Sequence, residues 1–527
     1  MQSILLEKNK TALLRYTLID LTQIPLVSCA FAFVLGVLTV IGYAPFDYFL
    51  IPVLTLTGLL MLVLRQPSAT RAMLVAFCFG IGKFGAGVSW IYISLHTYGG
   101  MAPVSATLAT FLFCAYLSLF PALFGGICWR FRYSGFSFLA LFVPAIWVVT
   151  EWLRGTLLTG FPWLAVGYSQ IPGSSLAGYA PIIGVYGVSA LVVFTATMFL
   201  AIQTTRRMAR IASIAILSIA WVLGACLQQI DWTAPSSAPF RVALLQGNIP
   251  QDLKWRPNQL NDTLDTYYLL AKQSDASLIV MPETAMPLYK DQLPTAYANK
   301  LKELAIAKRA DMIVGIAERI LDKDSPTYFN SAVSIGPSVS HTYRKQHLVP
   351  FGEYIPAEPL FAWALNILQI PLTDLSPGEA MQPAMQLSVG KVAINICFED
   401  VFGEEIIHAA PEANVLVNMS NLAWFGDSLA LPQHLQIAQM RALETGRFML
   451  RATNTGMTAI INERGRILAH AKPHETMVLT GMAQGFTGST PYIRFGNLPI
   501  LVWSALCLLF GFRGFMFARG ARRVPLS

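Results

Sequence analysis

The stretch RRMARIASIAILSIAWVLGACLQ, residues 206–228, decides the fold class of this chain. After its arginines, residues 211–228 contain no Asp, Glu, Lys or Arg. A helix of about 20 such residues crosses the roughly 30 Å hydrocarbon layer of a bilayer. Basic residues directly before an apolar run are typical of the cytoplasmic end of a membrane span. The stretch therefore predicts a transmembrane helix.

Similar apolar runs lie on both sides of this stretch. The chain is 54% hydrophobic and 13% charged, whereas soluble domains carry about 25% charged residues. This composition excludes a wholly soluble globule. It predicts a polytopic α-helical membrane domain with about eight transmembrane helices, at 24–43, 48–64, 72–95, 103–124, 135–153, 176–202, 211–228 and 495–514.

The basic residues beside these runs occupy alternate loops. They are Lys8, Lys10, Arg15, Arg65, Arg71, Arg130, Arg132, Arg206, Arg207, Arg210, Arg519, Arg522 and Arg523. The opposite loops 44–47 and 96–102 contain no Lys or Arg, and 154–175 contains only Arg154. Because basic loops stay in the cytoplasm, we expect both termini there and the block between the last two spans outside. The net charge of +8 is then a topology signal, and no nucleic-acid partner is expected.

The block between the last two spans has the pattern of a separate α/β domain. Short apolar runs typical of doubly covered strands alternate with helix-like segments. The strands are predicted at 241–245, 277–281, 312–316, 332–335, 391–397, 414–419, 448–452 and 458–461, and the helices at 261–273, 295–310 and 432–445. The predicted organisation is a membrane domain with seven helices (1–229), an outer domain (230–490), and a final helix with a basic tail (491–527).

Cys397 is the first candidate for chemistry. It ends the apolar run of KVAINICFED at 391–400, and no other cysteine lies between residues 229 and 506. It therefore has no disulfide partner in its own domain. A thiolate is a strong nucleophile, although a lone cysteine on an apolar strand is about as often an inert part of the core.

Glu283 ends a second apolar run, SLIVMPETA at 277–285. A carboxylate in a partly dry setting has a raised pKa, which suits a general base. The alternative is a helix N-terminus that favours an acidic residue.

Lys345 and Glu353 flank the apolar link in YRKQHLVPFGEYIP at 343–356. A lysine beside a developing oxyanion stabilises it, and a carboxylate can hold the ammonium in place. The alternative for such a pair is an ordinary surface ion pair. His347 is interpreted as structural.

Taken in order, MPET, RKQHLVPFGEY and ICFED resemble the Glu-Lys-Cys triad segments of the nitrilase superfamily. The chain resembles most closely the bacterial apolipoprotein N-acyltransferase family within it. Further segments carry the same resemblance: EWLRG at 151–155, GFPWLAVGYSQ at 160–170, QGNIPQDLKW at 246–255, FNSA at 329–332 and AWFGDS at 423–428. Two positions depart from the family pattern, because Phe398 stands where many relatives have Tyr and Leu422 where an acidic residue is common.

The resemblance implies an α-β-β-α sandwich with Glu283, Lys345 and Cys397 as the catalytic triad. It implies Asn330, Glu353, Phe398 and Glu399 as supporting residues, and Trp255, Phe361, Trp363 and Trp424 as substrate-binding residues. The implied reaction moves an acyl chain from a phospholipid, with phosphatidylethanolamine as the donor, to the amine of a diacylglyceryl-cysteine on an apolipoprotein. A thioester on Cys397 would be the intermediate.

The same resemblance implies a multi-pass protein of the bacterial inner membrane whose catalytic domain faces the periplasm. A monomer without cofactor or metal is expected. The apolar segment 355–372 would either line an acyl-chain groove or pack on the membrane domain as a helix. Lys83, inside the third span, would contact a lipid headgroup or snorkel to the interface.

Three other functions remain open from the residues alone. A membrane-anchored amidase would need no lipid groove and fewer spans. A transporter with a regulatory outer domain would have several ionisable groups along its pathway, whereas Lys83 is almost alone here. An inactive lipoprotein-binding module would not need all three triad residues.

Overall fold

The computed structural model describes residues 24–132, 136–321, 326–356 and 374–521. Phe361 and Trp363, and most of the apolar segment predicted at 355–372, lie outside these residues. In these residues the membrane part has seven α-helices of 14 or more residues before the α/β domain: α1 Pro25–Thr39, α2 Ile51–Leu64, α3 Ala69–Gly87, α4 Pro103–Phe131, α5 Val143–Thr156, α6 Ala180–Thr204 and α7 Arg207–Leu227.

Six helical segments of the described residues are long and apolar enough to cross a bilayer. The predicted span at 48–64 corresponds to a shorter apolar helix, Ile51–Leu64, and the one at 495–514 to the apolar stretch Leu498–Gly511, which is the first part of the longer helix Leu498–Ala521. The predicted count of eight is therefore not confirmed, whereas the polytopic membrane part is. The six are Pro25–Gly42, Ala69–Gly87, Pro103–Phe131, Phe138–Thr159, Ser175–Gln203 and Arg207–Leu227.

Glycines bring α1 and α3 into backbone contact. A Cβ added at Gly36 on α1 would lie 2.0 Å from the carbonyl oxygen of Phe79 on α3. A Cβ added at Gly82 on α3 would lie 2.1 Å from the carbonyl oxygen of Phe33 on α1. Small residues at such crossings are how membrane helices gain packing without a hydrophobic driving force.

Lys83 is enclosed within this bundle. Its side chain is buried, and its Nζ lies 5.9, 5.5 and 5.7 Å from the ring centroids of Tyr43, Phe84 and Trp147. An ammonium over aromatic faces is attracted by the ring quadrupoles. This enclosure contradicts the predicted alternative of a side chain that snorkels to the interface.

The α/β domain contains fifteen strands in the described residues. Their bounds are β1 Ala234–Pro235, β2 Phe240–Gln246, β3 Leu278–Val280, β4 Met286–Tyr289, β5 Asp311–Leu321, β6 Pro326–Ile335, β7 Thr342–Arg344, β8 Met385–Leu387, β9 Gly390–Ile396, β10 Val415–Ser420, β11 Phe448–Thr453, β12 Ala459–Ile461, β13 Ile467–His470, β14 Met477–Ala483 and β15 Phe486–Thr487. The helices are α8 Leu260–Gln273, α9 Thr295–Lys308, α10 Gly403–Ala409, α11 Ala430–Thr445 and α12 Pro491–Phe495, and the membrane helix α13 Leu498–Ala521 follows.

These strands form two mixed sheets. One has the order β14-β2-β3-β5-β6-β7, with β4 paired to β5, and the other has the order β13-β12-β11-β10-β9-β8. In each sheet the central strands are parallel: β2, β3 and β5 in the first, and β9, β10 and β11 in the second. The antiparallel pair β1-β15 lies apart from both.

The order of the layers follows from what packs against each face of the two sheets. Leu244, Val280 and Ile313 of the first sheet pack against Ile394 and Val417 of the second, which forms the core between the sheets. The outer face of the first sheet packs against α8 and α9. The outer face of the second packs against α10 and α11. This arrangement confirms the predicted α-β-β-α sandwich.

Helix α11 joins the α/β domain to the membrane part. Its Gln436 Oε1 accepts a hydrogen bond from the Ala44 N–H at 3.2 Å, and its Glu444 Oε1 accepts one from the Val185 N–H at 2.7 Å. Ile437 and Met440 belong to the same apolar cluster as the membrane helices. The helix is therefore buried on two faces, which explains why its sequence shows no simple amphipathic stripe.

Candidate active site

Cys397 occupies a strained turn at the end of β9. Its backbone φ is +54°, and a 3₁₀ turn, Cys397–Val401, begins at this residue. A left-handed backbone conformation costs a non-glycine residue about 1–2 kcal/mol. Neighbouring groups must therefore stabilise this conformation of Cys397. The side chain of Asn418, on β10, donates a hydrogen bond to the carbonyl oxygen of Cys397 at 3.2 Å.

Glu283 follows β3 and is buried at 7% exposure. Its Oε1 accepts a hydrogen bond from Asn330 Nδ2 at 2.7 Å, and its Oε2 accepts one from the backbone N–H of Asn421 at 2.7 Å. Gly315 on β5 makes room for this segment, since a Cβ there would lie 2.2 Å from the carbonyl oxygen of Pro282. The carboxylate is thus fixed in orientation from both sides.

Lys345 follows β7 and is buried at 1% exposure. Its Nζ lies 2.8 Å from Oε2 of Glu353 and 3.8 Å from Oε1 of Glu283. Asn330 Nδ2 also donates to Oε1 of Glu353 at 3.0 Å, so one amide bridges the two carboxylates. The backbone N–H of Lys345 donates to the carbonyl of Asn330 at 2.8 Å. Four of the residues singled out in the sequence therefore form one connected cluster.

The charges of this cluster act on Cys397. Burial, reinforced by the negative charge of Glu283, raises the pKa of the Cys397 thiol far above its usual range, and the opposing effect of Lys345 is smaller. Burial lowers the pKa of Lys345, but Glu353, Glu283 and Cys397 together outweigh it and raise that pKa. At neutral pH the site therefore rests with a neutral thiol beside a protonated lysine, and the thiol needs a base to react.

Glu399 ties the nucleophile turn to the segment that carries Lys345. Its Oε2 accepts a hydrogen bond from the Ile396 N–H at 2.5 Å, and its Oε1 accepts from the N–H groups of Gln346 and His347 at 2.7 and 3.2 Å. Burial raises the pKa of Glu399 to about 7, against the opposing effects of Lys345 and these hydrogen bonds. These contacts join the turn at Cys397 to the segment after β7, and the supporting role of Glu399 stays a prediction.

Lys254 was not singled out in the sequence. It is buried, and its Nζ donates hydrogen bonds to Thr284 Oγ1 at 2.6 Å and to the carbonyl of Glu283 at 3.3 Å. Burial lowers the pKa of Lys254 to about 7, although Glu283 opposes this. Lys254 precedes Trp255 in QGNIPQDLKW, one of the segments that carry the family resemblance. This position is the sequence feature from which Lys254 could have been identified.

A buried polar network behind Cys397 was also missed. Arg451 Nη1 donates hydrogen bonds to Asn418 Oδ1 at 2.6 Å and to Asp400 Oδ2 at 2.8 Å. Asp400 Oδ1 lies 2.5 Å from Nε2 of His434 on α11. The His434 ring lies 5.1 Å from that of Trp163 in the membrane part. A continuous chain of contacts therefore runs from the nucleophile turn to the membrane part.

Two of the remaining predicted residues, Phe398 and Trp424, contact aromatic rings of the membrane part. The Phe398 ring stacks at 6.2 Å on Phe161 of the membrane part. The Trp424 ring lies 6.2 Å from that of Tyr98, also in the membrane part. Trp255 is half-buried, and its substrate-binding role stays a prediction. The same holds for Phe361 and Trp363, which lie outside the described residues.

The arrangement places a thiol, a carboxylate and a cation in one electrostatically coupled site. A carboxylate positioned by two donors can accept a thiol proton. A lysine held by a second carboxylate can stabilise an oxyanion without surrendering its proton. Such a set suits acyl transfer through a covalent intermediate.

The chain is similar to known proteins along most of its length. Residues 35–198 match the family model of the apolipoprotein N-acyltransferase N-terminal domain, and residues 241–492 match that of carbon-nitrogen hydrolases. An apolipoprotein N-acyltransferase of Nitrosomonas europaea is 51% identical over 481 residues, 91% of this chain and 96% of that protein. One of Chromobacterium violaceum is 43% identical over 91% of this chain and 93% of its own length.

Among solved structures, the Caenorhabditis elegans NitFhit protein matches with a TM-score of 0.37 and 17% identity, covering 49% of this chain and 62% of that one. A carbon-nitrogen hydrolase from Helicobacter pylori matches with a TM-score of 0.36 and 17% identity, covering 46% of this chain and 89% of that one.

Proposed function

The chain belongs to the apolipoprotein N-acyltransferase family, and we propose that it transfers a phospholipid acyl chain to the N-terminal amine of diacylglyceryl-modified apolipoproteins through a thioester on Cys397. Glu283 is the proposed base and Lys345 the proposed oxyanion partner. Phosphatidylethanolamine is the proposed donor, and a monomer is the proposed working form.

One observation carries this proposal: the nucleophile lies at the border of the membrane part. The residue after Cys397, Phe398, stacks on Phe161, and Tyr168 OH donates a hydrogen bond to the carbonyl of Val401 at 3.4 Å. A membrane-anchored amidase acting on soluble amides would gain nothing from this position. An enzyme whose two substrates both sit in the bilayer needs it.

The first half-reaction loads the enzyme. Glu283 takes the proton of the Cys397 thiol while Sγ attacks the carbonyl carbon of a phospholipid ester. The ammonium of Lys345 stabilises the resulting oxyanion. The bond between that carbon and the glycerol oxygen then breaks, and the oxygen receives the proton from Glu283. The products are a lysophospholipid and a thioester on Cys397.

The second half-reaction delivers the acyl chain. The α-amine of the lipid-modified cysteine attacks the thioester carbonyl, and Glu283 accepts the proton that the nitrogen loses. The carbon–sulfur bond breaks, and the sulfur takes the proton back from Glu283. Since a thioester is more reactive than an amide, the transfer runs downhill without a nucleotide.

The contacts of the α/β domain support a periplasmic orientation. The domain meets the membrane part at the loops poor in Lys and Arg: Gln436 Nε2 donates to Asp47 Oδ1 at 3.0 Å, and Trp163 Nε1 donates to Gln433 Oε1 at 2.8 Å. Basic residues mark the cytoplasmic side. We therefore propose cytoplasmic termini and a periplasmic catalytic domain in the bacterial inner membrane.

The test is mass spectrometry of the purified protein after incubation with phospholipid. We expect a hydroxylamine-sensitive acyl adduct on Cys397, absent in Glu283→Gln and in Cys397→Ser. A label on another residue, or no label, would contradict the mechanism. Hydrolysis of a soluble amide in the absence of any lipid adduct would favour the amidase instead.

A further inference from the structure

Lys254 lies beside the proposed base but has no part in the mechanism above. It is the last residue of the helical turn Gln251–Lys254 and is 2% exposed. Its Nζ donates hydrogen bonds to Thr284 Oγ1 at 2.6 Å and to the carbonyl oxygen of Glu283 at 3.3 Å. Neither acceptor carries a charge. Since burying an ammonium without a paired anion is costly, these two hydrogen bonds alone do not account for a lysine at this position.

The hydrogen bond to Thr284 stabilises a strained turn directly after the base. Thr284 has a backbone φ of +47°, which is an outlier for a β-branched residue. Gly315 on β5 encloses the turn from the other side, since a Cβ at Gly315 would lie 2.7 Å from the backbone nitrogen of Thr284. The backbone at Glu283 is therefore held between a strand of the first sheet and the side chain of Lys254.

The same helical turn also reaches the carboxylate of Glu283. Oε1 of Gln251 accepts a hydrogen bond from Asn421 Nδ2 at 2.8 Å, and the Asn421 backbone N–H donates to Oε2 of Glu283 at 2.7 Å. The segment before the turn is fixed to the second sheet, because Asn454, directly after β11, exchanges hydrogen bonds with the backbone N–H and carbonyl of Ile249 at 2.9 and 2.8 Å. The base follows a strand of the first sheet, whereas the nucleophile follows a strand of the second. The turn therefore ties the base to the sheet that carries the nucleophile.

Lys254 also places a positive charge near the carboxylate. Burial lowers the pKa of Lys254 to about 7, and the negative charge of Glu283 opposes this shift. The ammonium is therefore present mainly below about pH 7, the range in which carboxylates take up protons. The other charged or titratable groups around Glu283 are Lys345, Glu353, Cys397 and Arg451. Lys345 and Arg451 are each paired with another carboxylate, whereas Lys254 has no ion pair in the described part of the chain.

We infer that Lys254 is a positioning residue for the proposed base: it holds the backbone of Glu283 in place, and its ammonium keeps the carboxylate ionised so that it can accept the proton of Cys397. The inference rests on the proposed function, in which Glu283 is the base. It extends the working site beyond the triad to the helical turn Gln251–Lys254. A residue that acts in this way changes the pH range in which the base works, which a purely structural residue does not.

The test is the rate of Cys397 acylation in the full-length protein between pH 5 and 8. The probe is p-nitrophenyl acetate, a water-soluble ester that needs no lipid site, and the burst of p-nitrophenol that is absent in Cys397→Ser measures the rate. This rate falls at low pH as the base takes up a proton. Lys254→Met removes the charge and keeps the length of the side chain. Because protonation of the carboxylate becomes easier without the nearby cation, we expect the midpoint of the fall to move to higher pH by at least about half a unit.

Lys254→Arg keeps the charge and should keep the wild-type midpoint, even where the larger side chain lowers the rate. Lys302→Met, the same loss of charge at an exposed lysine, should match the wild type in both. The midpoint does not depend on how much of the sample is folded, so a loss of folded protein cannot imitate the shift. An unmoved midpoint in Lys254→Met, or an equal shift in Lys302→Met, would overturn the inference. A shifted midpoint with p-nitrophenyl acetate, together with no Cys397 adduct from phospholipid in the wild type, would refute the proposed function and leave this inference standing.

Discussion

Nζ of Lys345 lies 2.8 Å from Oε2 of Glu353, a full ångström closer than its 3.8 Å distance from Glu283. The lysine is therefore paired with the supporting carboxylate rather than with the proposed base. This pairing leaves Glu283 to accept a proton from Cys397 while Lys345 keeps its charge.

Removing the charge of Glu353 should redirect this pairing. In Glu353→Gln, Lys345 should pair with Glu283, which lowers the basicity of the proposed base. We expect kcat to fall by roughly 10²–10³-fold, the size of effect seen when one oxyanion-hole donor is lost, because Lys345 would be drawn away from the oxyanion. Steady-state transfer assays and the rate of Cys397 adduct formation measure it.

Glu379→Gln is the matched control, because Glu379 is exposed. It should retain wild-type rates. An active Glu353→Gln variant with normal adduct formation would refute the assigned role of Glu353.

The stability of the protein should depend on pH through Glu399. Burial raises its pKa to about 7 from about 4.3 in an unfolded chain. The folded state therefore binds this proton more tightly than the unfolded state. Protonation of Glu399 therefore adds to the free energy of unfolding at low pH, and this contribution is lost as pH rises from about 4.3 through 7. The difference in melting temperature between the wild type and Glu399→Gln should therefore change across this window and stay constant above pH 8.

Thermal unfolding in detergent at pH 5, 6, 7 and 8 measures that difference. The subtraction removes the effect of Glu444, whose pKa burial also raises to about 7. A difference that is the same at all four pH values would contradict the shifted pKa of Glu399.

The hydrogen bond between Trp163 and Gln433 should stabilise the junction of the two parts. Gln433→Leu leaves the indole N–H of Trp163 buried without its acceptor, which costs about 1–3 kcal/mol. Trp90 Nε1 also donates to Gln433 Oε1, at 3.4 Å, but it keeps a second acceptor in the variant, the carbonyl of Gly87 at 3.0 Å. Chemical unfolding measures the loss, and the exposed Gln273→Leu should stay within about 0.5 kcal/mol of wild type.

A double-mutant cycle with Trp163→Phe separates this bond from general packing. The two substitutions should be clearly less than additive, because Trp163→Phe removes the same donor. Strict additivity would show that the bond contributes nothing to the junction.

Much of the α/β domain was predictable because its strands are buried on both faces. Continuous apolar runs such as that before Cys397 mark such strands directly. The strand predicted at 391–397 is observed as Gly390–Ile396, and the helix predicted at 261–273 as Leu260–Gln273. Glu283, Lys345 and Cys397 stood out in the sequence because each follows a strand. Their meeting could not be predicted in this way, because β3 and β9 belong to different sheets and β7 pairs antiparallel with β6, so the packing of the two sheets brings the residues together.

The network behind Cys397 was not predictable from local patterns. Parallel pairing places Asn395, Asn418 and Arg451 side by side on β9, β10 and β11. Each is a single polar residue inside an apolar run, so one strand at a time gives no signal. Only the pairing register of the three strands shows that these polar side chains lie side by side. The number of spans stays unconfirmed for a different reason: the apolar composition of 48–64 predicts a helix, but the helix observed there, Ile51–Leu64, has only 14 residues.

The last prediction concerns the buried polar network behind Cys397. Asp400→Asn removes the buried charge partner of Arg451, which costs about 3–5 kcal/mol. Replacing both partners, in Asp400→Asn with Arg451→Met, should restore most of the stability because no buried charge is left unpaired. It should not restore the rate of Cys397 adduct formation, since Arg451 would no longer orient Asn418, whose side chain holds the Cys397 carbonyl. Unfolding measurements and adduct kinetics on the two variants separate these effects. Recovery of both stability and rate in the double variant would reduce the network to a purely structural role.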